Sequence, residues 1–289
     1  MKTHRSLKAF AACLALLPAA HSFAADDTQA ESEPASAGRH MVQVGVFHLD
    51  TLDSSDPLHT TLKPGAAALL GVQSEFDSPG TSATVSSSNT LALIYSYFVT
   101  DHFALKFEGG IPAKFRLYGN GIVAPTGPAG ALINVDLGDP ANNPLAEVTQ
   151  WSPVFMVQYF FRDPQKQIRP YVGVGVTYTW FTGIKPDQDF EDALNNKFGT
   201  TLALANLTPG QTTVDAKASS DIAPVFNLGV SAELSKHWSL SGSLSLSLLS
   251  TTATISIDAA NGDRLVTSKT NLDLNPLVAA LLLGYRFDM

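Results

Sequence analysis

The sequence has little of three things: cysteine, charge and long apolar runs. Its one cysteine, Cys13, lies inside an apolar N-terminal stretch, so disulfides and thiol chemistry are excluded for the rest of the chain. Of the 289 residues 45% are apolar and only 15% are charged. No run outside the N-terminus reaches the roughly 18 apolar residues that a spanning helix needs. A membrane barrel suits this composition better than spanning helices, because half of each barrel strand faces polar surroundings.

Sequence motifs for common chemistry are also missing. The chain has no nucleotide-binding loop, no zinc motif and no nucleophile elbow, and no cofactor is predicted. The net charge of −8 argues against a nucleic-acid partner. His48 and Asp50 stand at the top of the first predicted strand, where a barrel acyltransferase would place catalytic groups. No partner serine is indicated, so we interpret both as a solvated rim and expect no enzyme.

The N-terminus has the pattern of a secretory signal peptide. Basic residues precede an apolar run from Ala9 to Ala20, and Ser22–Ala24 then offers small residues for cleavage. We therefore expect a signal peptide at 1–24. The acidic segment 25–38 lacks large apolar groups and is predicted to be a flexible periplasmic tail. The remaining residues, 39–287, are predicted to form one outer-membrane β-barrel.

Alternation of apolar and polar residues predicts eight antiparallel strands. The clearest begins at Trp238, where leucines take the even positions to Leu248 and serines take the odd ones. The predicted strands are 40–50, 89–98, 103–118, 148–161, 170–182, 223–234 and the two strands of a hairpin, 238–287, with its turn near Asn261-Gly262. Short turns alternate with the long segments 51–88, 119–147 and 183–222, as in outer-membrane barrels. An even strand count puts both chain ends in the periplasm.

The facing of the strands separates a membrane barrel from a soluble one. In the third strand every large apolar residue is odd and every charge is even, so the charges are expected inside. The predicted lumen charge network is Lys106, Glu108, Lys114, Arg116 and Glu233. We favour salt bridges filling a narrow interior over a selective ion pathway. The soluble rival, a ligand-binding barrel, needs fewer outward apolar residues than these strands carry.

In the last hairpin the apolar residues switch between even and odd positions part-way along each strand. Apolar residues are even through Leu248 but odd at Ile255 and Ile257, and in the closing strand they are even at Leu272 and Leu274. Two explanations stay open. A pair of bulges would flip the facing. Alternatively, the strands rise out of the membrane, and these four residues form an apolar vestibule inside the upper barrel.

Two prolines are predicted at one height of neighbouring strands, Pro112 in the third and Pro153 in the fourth. Proline has no N–H, so each one removes a ladder hydrogen bond. Both prolines can simply mark the end of regular pairing. They can also mark a lateral exit from the lumen into the bilayer, with Val154 and Met156 lining the approach.

Four segments resemble the OmpW family of small outer-membrane proteins. They are Tyr97-Phe-Val-Thr-Asp101, Ser152-Pro-Val-Phe-Met-Val-Gln-Tyr159, Arg169-Pro-Tyr-Val-Gly-Val-Gly-Val-Thr-Tyr178 and Gly284-Tyr-Arg-Phe287. The resemblance implies an eight-stranded barrel in the bacterial outer membrane with a narrow apolar channel for small hydrophobic molecules. It also implies contact with outer-membrane lipid. A closing strand that ends at Phe287 indicates recognition by the barrel-assembly machinery, although Asp288 and Met289 follow it.

The sequence therefore supports two functions of different kinds. One is a passive channel for small hydrophobic solutes, with an apolar upper lumen and sideways exit. The other is a structural or surface-interaction barrel, such as an adhesin or phage receptor, which transports nothing. An apolar upper lumen favours the first, and a polar one favours the second.

Overall fold

The chain folds around one closed barrel of antiparallel strands. The computed structural model describes residue 36 and residues 38–288. The predicted signal peptide, 1–24, and most of the predicted tail lie outside the described residues.

The described chain consists mainly of strands, with three short α-helices. The strands are β1 (His40–Thr51), β2 (Ser54–Ser55), β3 (Leu58–Leu62), β4 (Glu75–Ser78), β5 (Ser82–Val85), β6 (Ser88–Phe98), β7 (Phe103–Gly110), β8 (Ala113–Asn120), β9 (Ile122–Val123), β10 (Val135–Asp136), β11 (Ala146–Trp151), β12 (Val154–Phe160), β13 (Ile168–Pro186), β14 (Thr213–Ala218), β15 (Asp221–Glu233), β16 (Trp238–Ser247), β17 (Ser250–Asp258), β18 (Arg264–Asp273) and β19 (Pro276–Phe287). The helices are α1 (Pro64–Leu70), α2 (Gln188–Leu194) and α3 (Thr200–Ala205), with a 3-10 turn at Pro140–Asn142 and a π-helical turn at Asn195–Gly199.

Eight of these strands form the barrel wall. Around the barrel their order is β1, β6, β7, β12, β13, β15, β16 and β19, and β19 pairs with β1 to close the ring. Closure gives every strand two neighbours, so no strand of the ring is an edge strand. The predicted eight-stranded antiparallel barrel is confirmed. One end carries the short connections and is called the turn end; the other carries the long connections and is called the loop end.

The outer face of the wall is an apolar belt. Outward residues include Leu105, half exposed, and Val174, 60% exposed, and most of their outward neighbours are Val, Leu, Phe or Tyr. At the turn end, aromatic rings meet at the surface, with Trp238 edge-on to Tyr285 at 5.1 Å. An apolar belt bordered by aromatic residues is typical of a barrel that faces lipid.

The third predicted strand is broken by a bulge. β7 and β8 are separated by Ile111 and Pro112, and the preceding Gly110 has a φ of +140°. A Cβ at Gly110 would collide with the carbonyl oxygen of Leu91, so this close approach requires glycine. Glu108 faces inward below the break, and Ala113 faces inward above it. One extra residue has therefore reversed the facing of β8 relative to the prediction.

The closing hairpin shows no such reversal. Leu246 pairs with Leu277 and Ser250 with Asp273, so each strand advances by four residues between the two pairs. Ser247, Leu249 and Thr251 are buried while Leu248 and Ser250 between them are exposed, so odd positions of the seventh strand face inward on both sides of the switch. Of the two explanations for the switch, the bulge is wrong. The facing stays constant while the chemistry of the inward residues changes.

The long connections are more ordered than the sequence predicted. Strands β14, β17, β18, β3 and β4 form a sheet at the loop end, and β2 pairs with β18. Within segment 51–88, α1 begins at Pro64 and ends at the left-handed Gly71. Within segment 183–222, Phe190 and Leu194 lie on α2 and Phe198 lies on the π-helical turn, and all three side chains are buried.

The turn end includes residues that the sequence placed in a flexible tail. Ser36 is fully buried, and its backbone N–H donates to Asp101 Oδ1 at 2.6 Å. The N–H of Gly38 donates to the carbonyl of Phe98 at 2.8 Å. Ser36 and Gly38, the two described residues of segment 25–38, thus contact the base of the barrel through hydrogen bonds of their backbone N–H groups.

Replacing Leu105 by arginine tests the apolar belt. Leu105→Arg should lower the free energy of folding into lipid vesicles by about 2–4 kcal/mol, because it places a charge against lipid near the middle of the span. Leu204→Arg is the matched control, since Leu204 is equally exposed but lies on α3 at the loop end. Its cost should stay within about 0.5 kcal/mol. Equal costs for the two variants would contradict the assignment of the belt.

Candidate functional site: the lumen and its side opening

The lower lumen, toward the turn end, is filled by polar side chains. Lys106 Nζ lies 2.5 Å from Glu108 Oε1, and these residues are 3% and 7% exposed. Side-chain hydrogen bonds link different strands across the interior: Gln158 donates to Asn227 Oδ1 at 3.0 Å, and Asn227 donates to Ser245 Oγ at 2.9 Å. Inward apolar residues such as Ile94 and Leu282 are buried among these groups, so a solute on the lower axis would meet polar and apolar side chains packed together.

The turn end is closed by buried charges packed on aromatic rings. The guanidinium of Arg169 lies 4.7 Å from the ring centre of Phe160, and that of Arg286 lies 5.2 Å from Phe98. Arg286 also donates to Glu233 Oε1 at 2.9 Å. Arg169 further donates to the backbone carbonyls of Arg162 and Asp101 and to Ser36. The sequence did not single out Arg169 or Arg286 as lumen residues.

Of the five residues in the predicted charge network, the structure places three inside the barrel and two outside. Lys106, Glu108 and Glu233 face the interior. Lys114 and Arg116 lie on the outer surface of β8, and Arg116 pairs there with Glu147 at 2.9 Å. The bulge that ends at Pro112 is the physical reason, because one inserted residue exchanges the two faces of the strand above it.

The upper lumen, toward the loop end, contains an apolar cavity of about 140 Å³. Barrel strands contribute Phe115, Leu117 and Phe181, and the helical segment contributes Phe190, Leu194 and Phe198. The four predicted vestibule residues also line this cavity: Ile255, Ile257, Leu272 and Leu274. Phe115 and Leu117 were expected to face lipid, and the same bulge turns them inward.

The wall between the third and fourth strands is interrupted where the prolines lie. Below the gap Glu108 pairs with Val154, and above it Ala113 pairs with Gln150. Between these pairs stand the residues 109–112 of one strand and 151–153 of the other. At about 3.3 Å per residue, the interruption is roughly 10–13 Å long. This gap is called the seam. Pro112 and Pro153 both lie in it, and Pro112 is level with about residue 151, two residues along the strand from Pro153.

A second cavity, of about 480 Å³, lies at the seam. Its lining includes the inward residues Phe47 and Leu49 and also the outward residues Leu91 and Ile111. Residues of both faces of the wall therefore border this cavity. Pro112, Pro153 and Val154 line it. Met156 is buried one inward position below Val154 and is not part of this lining.

A thin layer separates the two cavities. Leu49, Ala113 and Phe115 form one buried cluster, and Phe47 and Val278 pack against it. Gln150 lines both cavities and donates to Ser152 Oγ at 2.8 Å. Members of this cluster line both cavities, Phe115 the upper one and Leu49 and Ala113 the one at the seam.

Ionic contacts tie the loop-end strands together. Lys63 donates to Asp263 Oδ2 at 2.6 Å, and this bond lowers the pKa of Asp263. His59 stands between Asp77 at 2.8 Å and Glu75 at 3.2 Å, and the hydrogen bond to Asp77 raises the pKa of His59. Because the pKa is raised on folding, this contact stabilises the loop end below the unfolded pKa of His59. The contribution is lost as pH rises through the folded value.

The remaining candidate sites are a catalytic group at His48 and a metal site, and the described residues give no geometry that supports either. His48 Nδ1 lies 2.8 Å from Asn89 Oδ1, an exposed contact at the barrel rim. Within the described part of the chain, no group of three or more His, Cys, Asp or Glu residues is arranged to hold a metal ion. None of the helices described has the length and apolarity to span a membrane.

The closed eight-stranded ring, the apolar belt and the short and long connections together define a small outer-membrane β-barrel. Comparison with known proteins narrows this class. The profile of the OmpW family matches residues 60–287, and the chain belongs to this family. Its place is the bacterial outer membrane.

Individual relatives agree with this assignment. The chain is 27% identical to outer membrane protein W of Vibrio cholerae over 250 residues, which is 86% of this chain and 89% of the relative. It is 26% identical to outer membrane protein W of Salmonella typhimurium over 78% of this chain and 84% of the relative. The crystal structure of OprG from Pseudomonas aeruginosa superposes with a TM-score of 0.64 at 20% identity, covering 89% of this chain and 99% of OprG. That likeness establishes the common fold.

A double-mutant cycle tests the buried ion pair. Glu108→Ala should cost about 3–5 kcal/mol of unfolding free energy, because Lys106 then stays buried without its counter-charge. Lys106→Met combined with Glu108→Ala should cost clearly less than the sum of the single changes. Urea unfolding in lipid vesicles, followed by tryptophan fluorescence, provides the measurement. Lys114→Ala, an exposed control, should stay within about 0.5 kcal/mol. Additive costs would contradict a paired interior.

Proposed function

We propose that this barrel passes small hydrophobic molecules across the outer leaflet, from an apolar upper lumen to a lateral exit at the seam. The observation that carries the proposal is the cavity at the seam, whose lining joins inward and outward residues. The strands of the barrel wall are otherwise hydrogen-bonded to their neighbours. The seam is the gap in this wall, and there a hydrophobic molecule can reach lipid.

The lining of the upper cavity supports a hydrophobic solute. Its walls are formed mainly by Phe, Leu, Ile and Val side chains from strands and from the helical segment. Transfer of apolar surface from water into such a site is favourable by about 25 cal/mol per Å². Ile255, Ile257, Leu272 and Leu274 act as the vestibule that takes up the solute. An interaction barrel without transport has no need of an apolar interior, so this lining favours the channel.

The lower lumen supports a sideways rather than an axial route. A hydrophobic solute that continued down the axis would displace hydrogen bonds of Gln158 and Asn227 and meet the ion pair of Lys106 and Glu108. Breaking buried polar contacts without replacement costs about 1–3 kcal/mol each. At the seam the solute instead meets apolar side chains and leaves between Pro112 and Pro153. Val154 lines this exit.

The direction of transport follows from the orientation we propose. The loop end faces the outside, and the turn end with both chain termini faces the periplasm, because long loops of such barrels are extracellular. The closing strand β19 is the segment offered to the barrel-assembly machinery. The barrel has no catalytic role in this proposal.

Polar substitution of the vestibule is the first test. Changing Ile255, Ile257, Leu272 and Leu274 to serine should slow entry of a small uncharged fluorescent probe into proteoliposomes several-fold, because the cavity loses its affinity for apolar surface. The matched control changes four exposed apolar residues of the loop end to serine: Leu52, Leu69, Leu132 and Leu204. Heat-dependent gel migration checks that each barrel is folded. Ile255→Ser alone, at a half-buried position, gives a milder second variant. Unchanged uptake by folded vestibule variants would refute the vestibule.

Cross-linking the seam is the second test. Pro112→Cys and Ser152→Cys, joined by oxidation or by a short bifunctional thiol reagent, should stop probe transfer into the bilayer, and reductive cleavage of a disulfide should restore it. Leu105→Cys with Val157→Cys is the control, since these residues pair directly in the intact ladder below. Cross-linking the control pair should leave transfer unchanged. Full transfer with the seam closed would eliminate this exit.

A further inference from the structure

A group of basic side chains lies on the outer surface of the wall just above the seam. Lys114 and Arg116 stand on β8, and Lys185 stands on β13, all exposed. β11 runs between them, so that Arg116 pairs with Glu147 and Glu147 pairs with Lys185 across the sheet. These three cations are called the basic row.

The basic row lies directly above the edge of the apolar belt. Two outward positions below Glu147 and one below the level of Lys114, Trp151 and Trp180 are cross-strand partners, and their rings are stacked 5.8 Å apart at 4°. The indole N–H of Trp151 donates to Thr182 Oγ1 at 3.1 Å. Tyr178, Val176 and Val174 continue the exposed apolar surface below. Tryptophans gather where lipid tails meet headgroups, so the basic row falls at headgroup height.

The charge of this surface opposes the charge of the whole chain. Three cations and Glu147 leave a local charge of about +2, whereas the chain carries −8. Arg116 is engaged by Glu147 at 2.9 Å. Among the residues the structure describes, no carboxylate forms an ion pair with Lys114 or Lys185. Two unpaired ammonium groups therefore flank one ion pair at the level where lipid phosphates lie.

We propose that the basic row docks the phosphorylated headgroup of an anionic lipid in the outer leaflet. Lys114 and Lys185 bind the phosphate oxygens, and the hydroxyls of Thr149 and Thr182 lie between them to donate hydrogen bonds. The acyl chains then run down past the tryptophan pair to Ile111 at the mouth of the seam. Lipid docking does not depend on the passage of solutes, and each can fail without the other.

Tryptophan quenching tests this docking in full-length folded protein. Trp238→Phe leaves Trp151 and Trp180 as the only tryptophans, both beside the proposed site. The protein is placed in phosphatidylcholine bilayers containing brominated phosphatidylglycerol or, separately, brominated phosphatidylcholine. Stronger quenching by the anionic lipid is expected. Lys114→Gln with Lys185→Gln should reduce that preference by about fivefold per lysine.

Control variants distinguish a site from net charge. Lys166→Gln with Lys236→Gln removes the same charge at the turn end and should leave the preference intact. Lys114→Arg with Lys185→Arg keeps the charge and should retain it, which also guards against misfolding of the glutamine variant. Unbrominated lipid A should relieve the quenching, whereas free inorganic phosphate should not. Three results would each overturn the proposal. One is an unchanged preference for the anionic lipid in the Lys114→Gln, Lys185→Gln variant, and another is an equal loss of that preference in the Lys166→Gln, Lys236→Gln variant. The third is relief of the quenching by free phosphate.

Discussion

The structure depends on one constraint: inside a bilayer, backbone N–H and C=O groups must find partners in the protein. Eight strands meet it by closing into a ring, and the closing contact is β19 with β1. Within residues 38–288, the seam between the third and fourth strands is the clear interruption of the ring. There Ile111 bonds to Leu91 and the Pro153 carbonyl accepts from Tyr178, away from the gap. Irregular backbone of this kind is tolerated in a membrane where it lines a cavity, and a cavity lies at the seam.

A second division runs along the barrel axis. Inward positions of the seventh strand are serines in β16, whereas in β17 they change from Thr251 to Ala253, Ile255 and Ile257, although the facing is the same. Outward positions change in the opposite sense, from leucine to threonine and serine. The two changes occur at one height because lipid requires an apolar exterior below it and water requires a polar exterior above it. The upper interior is then free to be apolar, and the lower interior holds the polar network.

The sequence predicted the features that are decided within one strand. It did not predict those that depend on contacts between residues far apart in the chain. Alternation identified the barrel strands and the inward Lys106 and Glu108, because facing within one strand is local. It failed at Lys114 and Arg116, although Gly109-Gly110 followed by Pro112 was a visible sign of a bulge. Strands β3 and β4 were not predicted, since they are short and depend on pairing with the distant β18. Ser36 was missed because its partners, Asp101 and Arg169, are remote in sequence.

The continuous hairpin of the seventh and eighth strands has a mechanical consequence. In the ring of eight, this hairpin lies diametrically opposite the seam. Its strands pair from Trp238 to Leu246 and again from Ser250, and the N–H groups of Leu274 and Asn275 donate to the Leu249 carbonyl between these stretches. One side of the barrel is thus held by backbone hydrogen bonds along its length, and the opposite side lacks them at the seam. A force that widened the barrel would therefore be expected to separate the strands at the seam first.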